Sequence, residues 1–306
     1  MNLLNKMINM KLKILKKEFD SAYNKKIPYI ILMKHNGKNV VYKFEGTLGE
    51  DREKPKYFQE YASKIFTMLK VNSPKASVVS IESVIKNLKK IRSLLKPKEI
   101  ICYTSILEYL ENNIKGKALK IQFLDAKDLQ DTLGSGITDY AIRLAGRIIC
   151  GEYLLGIEDR HARNYMVSKT NLKINAVWSI DLEESRNTSE EFNTYFDSSL
   201  YTYSTVSFIK TKRLYDDIAF IQGFHDVQKM IKEKKTKIIN LSYMYAKFLP
   251  DKFILTLQRK IKFILKTKPI ELALNLRMDR LYWDLDEDYI FKKNTSTKLK
   301  QEKKQK

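Results

Sequence analysis

The stretch Leu154-Leu155-Gly156-Ile157-Glu158-Asp159-Arg160-His161-Ala162-Arg163-Asn164-Tyr165-Met166-Val167 decides how this chain is read. Its centre sets a carboxylate, Asp159, five residues before an amide, Asn164. Upstream, Ile142, Ala145, Ile148, Ile149 and Leu155 recur at helical spacing and predict a helix from Tyr140 to Leu155, capped by Thr138 or Asp139 and ended by Gly156. Downstream, Asn164 to Val167 and Ile174 to Ile180 read as two short strands around Lys169-Thr170-Asn171, and Asp181 follows the second. A carboxylate in a turn can accept the proton of a hydroxyl. An amide and a second carboxylate at the ends of a strand pair offer the hard oxygen donors that magnesium prefers. The plainer alternative is a turn with local side-chain hydrogen bonds at Asp159 and Asn164, and a loop carboxylate at Asp181.

The first third of the chain is rich in strand signals. Tyr29 to Met33 reads as a strand, with Pro28 tolerated at its start. Asn36-Gly37 is a hairpin turn and Asn39 to Phe44 the returning strand. Tyr57 to Leu69 is helical, with Phe58, Tyr61, Ala62, Ile65, Phe66 and Leu69 on one face. Ala76 to Ile81 is strand-like, Ser83 to Leu95 is a basic amphipathic helix stopped by Pro97, and Glu99 to Leu110 reads as a strand. Gly134-Ser135-Gly136 reads as a flexible loop rather than a dinucleotide fingerprint, because the third glycine is missing. Beyond Phe208 the pattern is mostly helical to Phe291. The expectation is an α+β chain in four parts: a basic N-terminal extension (1–27), a small β-rich N-lobe (28–109), a larger mostly helical C-lobe (110–291) and a disordered Lys-rich tail (292–306).

Phosphoryl transfer is mostly positioning, and this chain has a candidate for each part it needs. Lys43, between Tyr42 and Phe44, turns opposite to its neighbours by strand alternation and faces a cleft if they face a core. It is the candidate phosphate-binding cation; the alternative is an ordinary exposed strand lysine. Glu60 in the following helix can pair with it, and so can Glu50 or Asp51. Asp159 is the candidate base, and Asn164 and Asp181 are the candidate magnesium ligands. His161 can orient the transferring phosphate or donate to it, or make a structural hydrogen bond; Arg160 reads as structural.

With these residues in view, the stretch from Leu154 to Val167 resembles the catalytic loop of the phosphoinositide 3-/4-kinase-like (atypical kinase) superfamily, which writes D-R-H. Ile180-Asp181-Leu182-Glu183 is similar to that group's metal-binding segment, and Val41-Tyr42-Lys43-Phe44 to its lysine strand. Ile106-Leu107-Glu108-Tyr109 looks like the hinge whose backbone meets adenine, which would put Leu107, Glu108 and Tyr109 at the nucleotide. The resemblance implies a bilobal protein-kinase-like fold, ATP and Mg2+ as cofactors, and transfer of the γ-phosphate to a hydroxyl. Two positions depart from the pattern. Glu183 stands where a glycine is usual, and no Gly-rich loop precedes Lys43. A catalytically silent pseudokinase or scaffold is therefore the alternative to an active enzyme.

Bulk properties narrow the partners. The 306 residues carry a net charge of +21, but the 57 basic residues include 11 Arg and 46 Lys. Base and phosphate readout draws on the Arg fork, so nucleic acid is not the expected partner. The basic opening segment, Met1 to Phe19, reads as a helix that either packs on the domain or makes peripheral contact with an acidic membrane surface. Two distant cysteines, Cys102 and Cys150, and the lack of a signal-like or membrane-spanning run lead to a cytoplasmic expectation. From Leu182 to Ser198 there are five carboxylates against Arg186 alone, which repels a multiply phosphorylated lipid. A protein Ser/Thr acceptor is thus favoured over phosphatidylinositol. The segment also carries its own Ser, Thr and Tyr hydroxyls.

Overall fold

The computed structural model describes residues 11–20, 25–35, 38–44, 54–132, 136–157, 162–182 and 218–273. The chain is α+β, with an antiparallel sheet in the first part and mostly helices in the second. Strands β1 (Leu12–Asp20), β2 (Lys25–His35), β3 (Lys38–Lys43), β4 (Ala76–Ser80) and β5 (Lys117–Gln122) form one sheet in the order β1-β2-β3-β5-β4. The β2–β3 register, Ile30↔Lys43 to His35↔Lys38, leaves two residues for the turn, as Asn36-Gly37 predicts. Tyr42 and Phe44 bury on the face that carries Leu12, Ile31, Met33 and Ala118. Helices α2 (Ile81–Ile91) and α3 (Pro97–Asn112) cover that face with Val84, Leu88, Tyr103, Ile106 and Leu110.

Three expectations are corrected here. Residues 12–20 are an edge strand, not part of a helical extension, because Leu12 and Ile14 alternate into the core while Lys13 and Leu15 turn away. Glu99 to Leu110 is helical, not a strand: the buried positions 99, 103, 106 and 110 follow a helical period. Pro97 takes the first helical position, and the Glu99 carboxylate accepts the Lys96 N–H at 2.8 Å. The N-terminal sheet also reaches past residue 109, since β5 supplies one of its central strands.

The second part hangs on two helices. Helix α4 (Asp139–Leu155) starts at Thr138, whose hydroxyl accepts the Ala141 N–H, and ends at Gly156 in the left-handed region (φ 62°). It crosses α5 (Ile218–Met244) where Gly146 meets Gly223. A Cβ on Gly146 would lie 2.1 Å from the Phe220 carbonyl oxygen, so only glycine permits this approach. Arg143 and Arg147 then both bond Asp226 across the crossing, at 2.6 and 2.8 Å. Helix α6 (Phe253–Lys266) packs Phe253, Leu257, Ile261 and Ile264 into the same core. Strands β6 (Lys127–Asp128), β7 (Gly136–Ile137), β8 (Tyr165–Thr170) and β9 (Lys173–Ser179) form a small second sheet against it. Helix α1 (Lys54–Leu69) follows β3 in sequence, but its apolar face joins this second core. The opening ten residues and the Lys-rich tail, like everything after residue 273, lie outside the described residues.

Candidate active site

Strand alternation turns Lys43 away from the Tyr42/Phe44 core, as the sequence implies. The side chain is nevertheless almost fully enclosed, at 7% exposure. Its Nζ lies 3.0 Å from Asp181 Oδ1. This ion pair joins residues 138 apart in sequence and bridges the two sheets. A buried ammonium needs such a partner, because desolvation otherwise costs on the order of several kcal/mol. Asp181 is half-exposed, at 51%, and its backbone is left-handed (φ 59°). Aspartate tolerates that region better than most residues, yet a non-glycine there still stores strain of order 1 kcal/mol.

Asn164 closes a single 3-10 turn (Ala162–Asn164) and leads directly into β8. Its carbonyl accepts the Ile180 N–H at 2.9 Å, and Tyr165 pairs with Ser179 in the ladder. Asn164 and Asp181 therefore flank the open end of one hairpin. The hairpin's far end turns through Asn171 and Leu172, both at positive φ. Among the described residues, no group of three or more His, Cys, Asp and Glu forms a metal cage. Magnesium bound through one carboxylate, one amide, phosphate oxygens and water needs no such cage. The oxygen donors and the exposure of Asp181 fit that ion. Asp159 and His161 lie outside the described residues, as do Glu50, Asp51 and Glu183. The chain is fixed on either side of Asp159: the Ile157 N–H bonds the Glu152 carbonyl, and the turn at Ala162 follows.

Other candidates are not brought to this point. Glu60 Oε1 lies 3.0 Å from Lys64 Nζ, one turn along α1. The reason is helix phase. Ser63 Oγ accepts the Ala76 N–H and donates to the Pro74 carbonyl, so the stripe through Gln59 and Ser63 meets β4, and Glu60 is rotated off it. Leu107, Glu108 and Tyr109 are not on a strand leaving the sheet. They sit in α3, where Tyr109 packs edge-on against Phe44 with ring centroids 6.1 Å apart. The segment that does connect the two sheets is Phe123-Leu124-Asp125-Ala126, between β5 and β6. Its signal was the alternating run Ala118-Leu119-Lys120-Ile121-Gln122 after Gly116.

Fold and site together define a two-part α+β protein in which a lysine of the first sheet grips an aspartate at the end of the second. Among solved structures, the chain is similar to the crystal structure of a Helicobacter pylori proinflammatory kinase, CtkA. The TM-score is 0.46 at 11% identity, covering 87% of this chain and 95% of that one. No protein-family model matches the sequence, and no curated protein matches it either.

Proposed function

We propose that this protein is an ATP- and Mg2+-dependent phosphotransferase that moves the γ-phosphate to a hydroxyl, with a protein Ser/Thr favoured over phosphatidylinositol as acceptor. The observation that carries the reading is the 3.0 Å pair between Lys43 and Asp181. Each residue has a separate role in phosphoryl transfer, and the fold sets them side by side. In this reading Lys43 holds nucleotide phosphate, and Asn164 and Asp181 hold magnesium. The ion, when bound, neutralises charge on the phosphates. Asp159 orients and deprotonates the acceptor hydroxyl, and His161 steadies the transferring group. The backbone of Phe123 to Ala126 replaces Leu107 to Tyr109 as the adenine contact. No helix among the described residues is long and apolar enough to cross a membrane, and a cytoplasmic setting is proposed with the activity.

A second reading, ATP binding without transfer, draws on Glu183 in place of glycine and on the missing Gly-rich loop. One experiment separates the two. Labelled Mg-ATP is offered with the protein itself, a basic protein substrate and phosphatidylinositol vesicles, using wild type and Asp159→Ala. Label that requires Asp159 supports transfer, and the labelled product names the acceptor. ATP binding without any label supports the silent reading.

A further inference from the structure

Glu152 is a carboxylate buried to 2% exposure inside α4, well away from solvent. Its two oxygens are used separately. Oε2 accepts the Tyr165 hydroxyl at 2.9 Å, and Oε1 accepts the Ser179 hydroxyl at 2.6 Å. Tyr165 and Ser179 are themselves fully buried and are partners in the β8–β9 ladder. Tyr165 directly follows Asn164, and Ser179 precedes Asp181 by two residues. One carboxylate thus clamps both strands at the end where the two proposed metal ligands emerge. The same end is also tied by the Ser179 N–H to the Asn72 carbonyl at 3.0 Å, and by Ile180 N–H to Asn164.

A buried acid is a poor choice if packing alone is needed, since apolar residues of similar volume commonly serve as well or better. What a carboxylate adds is direction: two short acceptor bonds fix the spacing and tilt of two strands at once. We infer that Glu152 is a positioning residue, which sets the separation of Asn164 and Asp181 and so tunes magnesium affinity without touching the ion. The inference rests on the phosphotransferase reading above.

The test uses the full chain and ATP with titrated magnesium. Glu152→Ala leaves two buried hydroxyls without this acceptor, and Tyr165→Phe/Ser179→Ala takes both of these donors from a buried carboxylate, so each is read only on protein that folds. Glu152→Gln, which keeps one acceptor oxygen and removes the charge, is the variant that keeps the test decisive. The magnesium concentration for half-maximal ATP binding and transfer should rise roughly tenfold in the double variant, the scale of outer-sphere effects on metal sites. ATP binding in EDTA should stay unchanged, because Lys43 is intact. Glu152→Gln should fall between the double variant and wild type. A folded double variant, or Glu152→Gln, that melts earlier yet keeps the wild-type magnesium requirement would make Glu152 merely structural and overturn the inference. Wild type whose ATP binding ignores magnesium would remove the phosphotransferase reading and the inference with it.

Discussion

Lys43 and Asp181 carry different burdens, and their substitutions separate them. Lys43→Met keeps the volume and removes the charge from an enclosed site, so the thermal midpoint should stay close to wild type. Phosphate transfer should fall by on the order of a hundredfold, the usual effect of deleting one electrostatic contact to a reacting phosphate. Asp181→Asn keeps a residue that tolerates left-handed backbone but takes this carboxylate from the enclosed Lys43 ammonium, so it should fold with a lowered thermal midpoint while losing magnesium-dependent transfer. A residue of another kind is Glu99, whose burial pushes its carboxyl pKa up. The backbone N–H groups of Lys96, Lys11 and Leu12, with the Lys96 charge, outweigh this and hold it below its ordinary value of 4.5. The folded state therefore takes up the proton later than the unfolded chain as pH falls. Its contribution is complete above about 4.5 and is lost as pH drops through the lowered folded value. Urea midpoints between pH 6 and pH 3 should show that loss, and Glu99→Gln should flatten it. The turn of Lys43 away from Tyr42 and Phe44 was legible from alternation. Glu60 was not, because helix phase relative to a strand is a tertiary fact.

At the scale of elements, the α4–α5 crossing makes the sharpest demand. Gly146→Ala would put its Cβ 2.1 Å from the Phe220 carbonyl oxygen, and Gly223→Ala 2.3 Å from that of Arg143. Each should cost about 3 kcal/mol in chemical denaturation, the upper end of overpacking penalties. Gly136→Ala meets the flexible Lys173 side chain, with Cγ nearest at 3.4 Å, and should change stability by less than about 1 kcal/mol. Helix α4 was readable to within a residue because Thr138 and Gly156 mark its ends. Helix α1 was readable from its apolar face. Helix α3 was misread because Ile100-Ile101-Cys102-Tyr103 looks like a continuous strand, although Pro97 and Glu99 already spell a helix start. Strand β1 was taken into a helix because Leu3, Leu4, Met7 and Ile8 set a helical pattern just before its own alternation.

Across the whole molecule, the order of a strand-rich part and a helical part was visible in the sequence, but the allegiance of α1 was not. It lies among the N-terminal elements in sequence and belongs to the C-terminal core in space. The Tyr61 hydroxyl meets Ser242 at 2.7 Å, Lys234 donates to the Met68 carbonyl at 2.6 Å, and Tyr57 stacks on Phe248 at 3.7 Å. Elements that share a core open together. Amides of α1 should therefore exchange with hydrogen at the rate of α5, not of β4 and β5; matching exchange in α1 and the sheet would contradict that assignment. The sheet that carries Lys43 and the body that carries Asp181 then meet where Ser63 bonds the Pro74 carbonyl and the Ala76 N–H, and at the Lys43–Asp181 pair, which is where the proposed nucleotide would act. Transfer of labelled γ-phosphate from Mg-ATP by wild type, Lys43→Met and Asp181→Asn tests this most directly. Label with wild type and its loss in both folded variants is the predicted result. Equal labelling by all three, or none by a wild type that also fails to bind ATP, would contradict a phosphotransferase built on this pair.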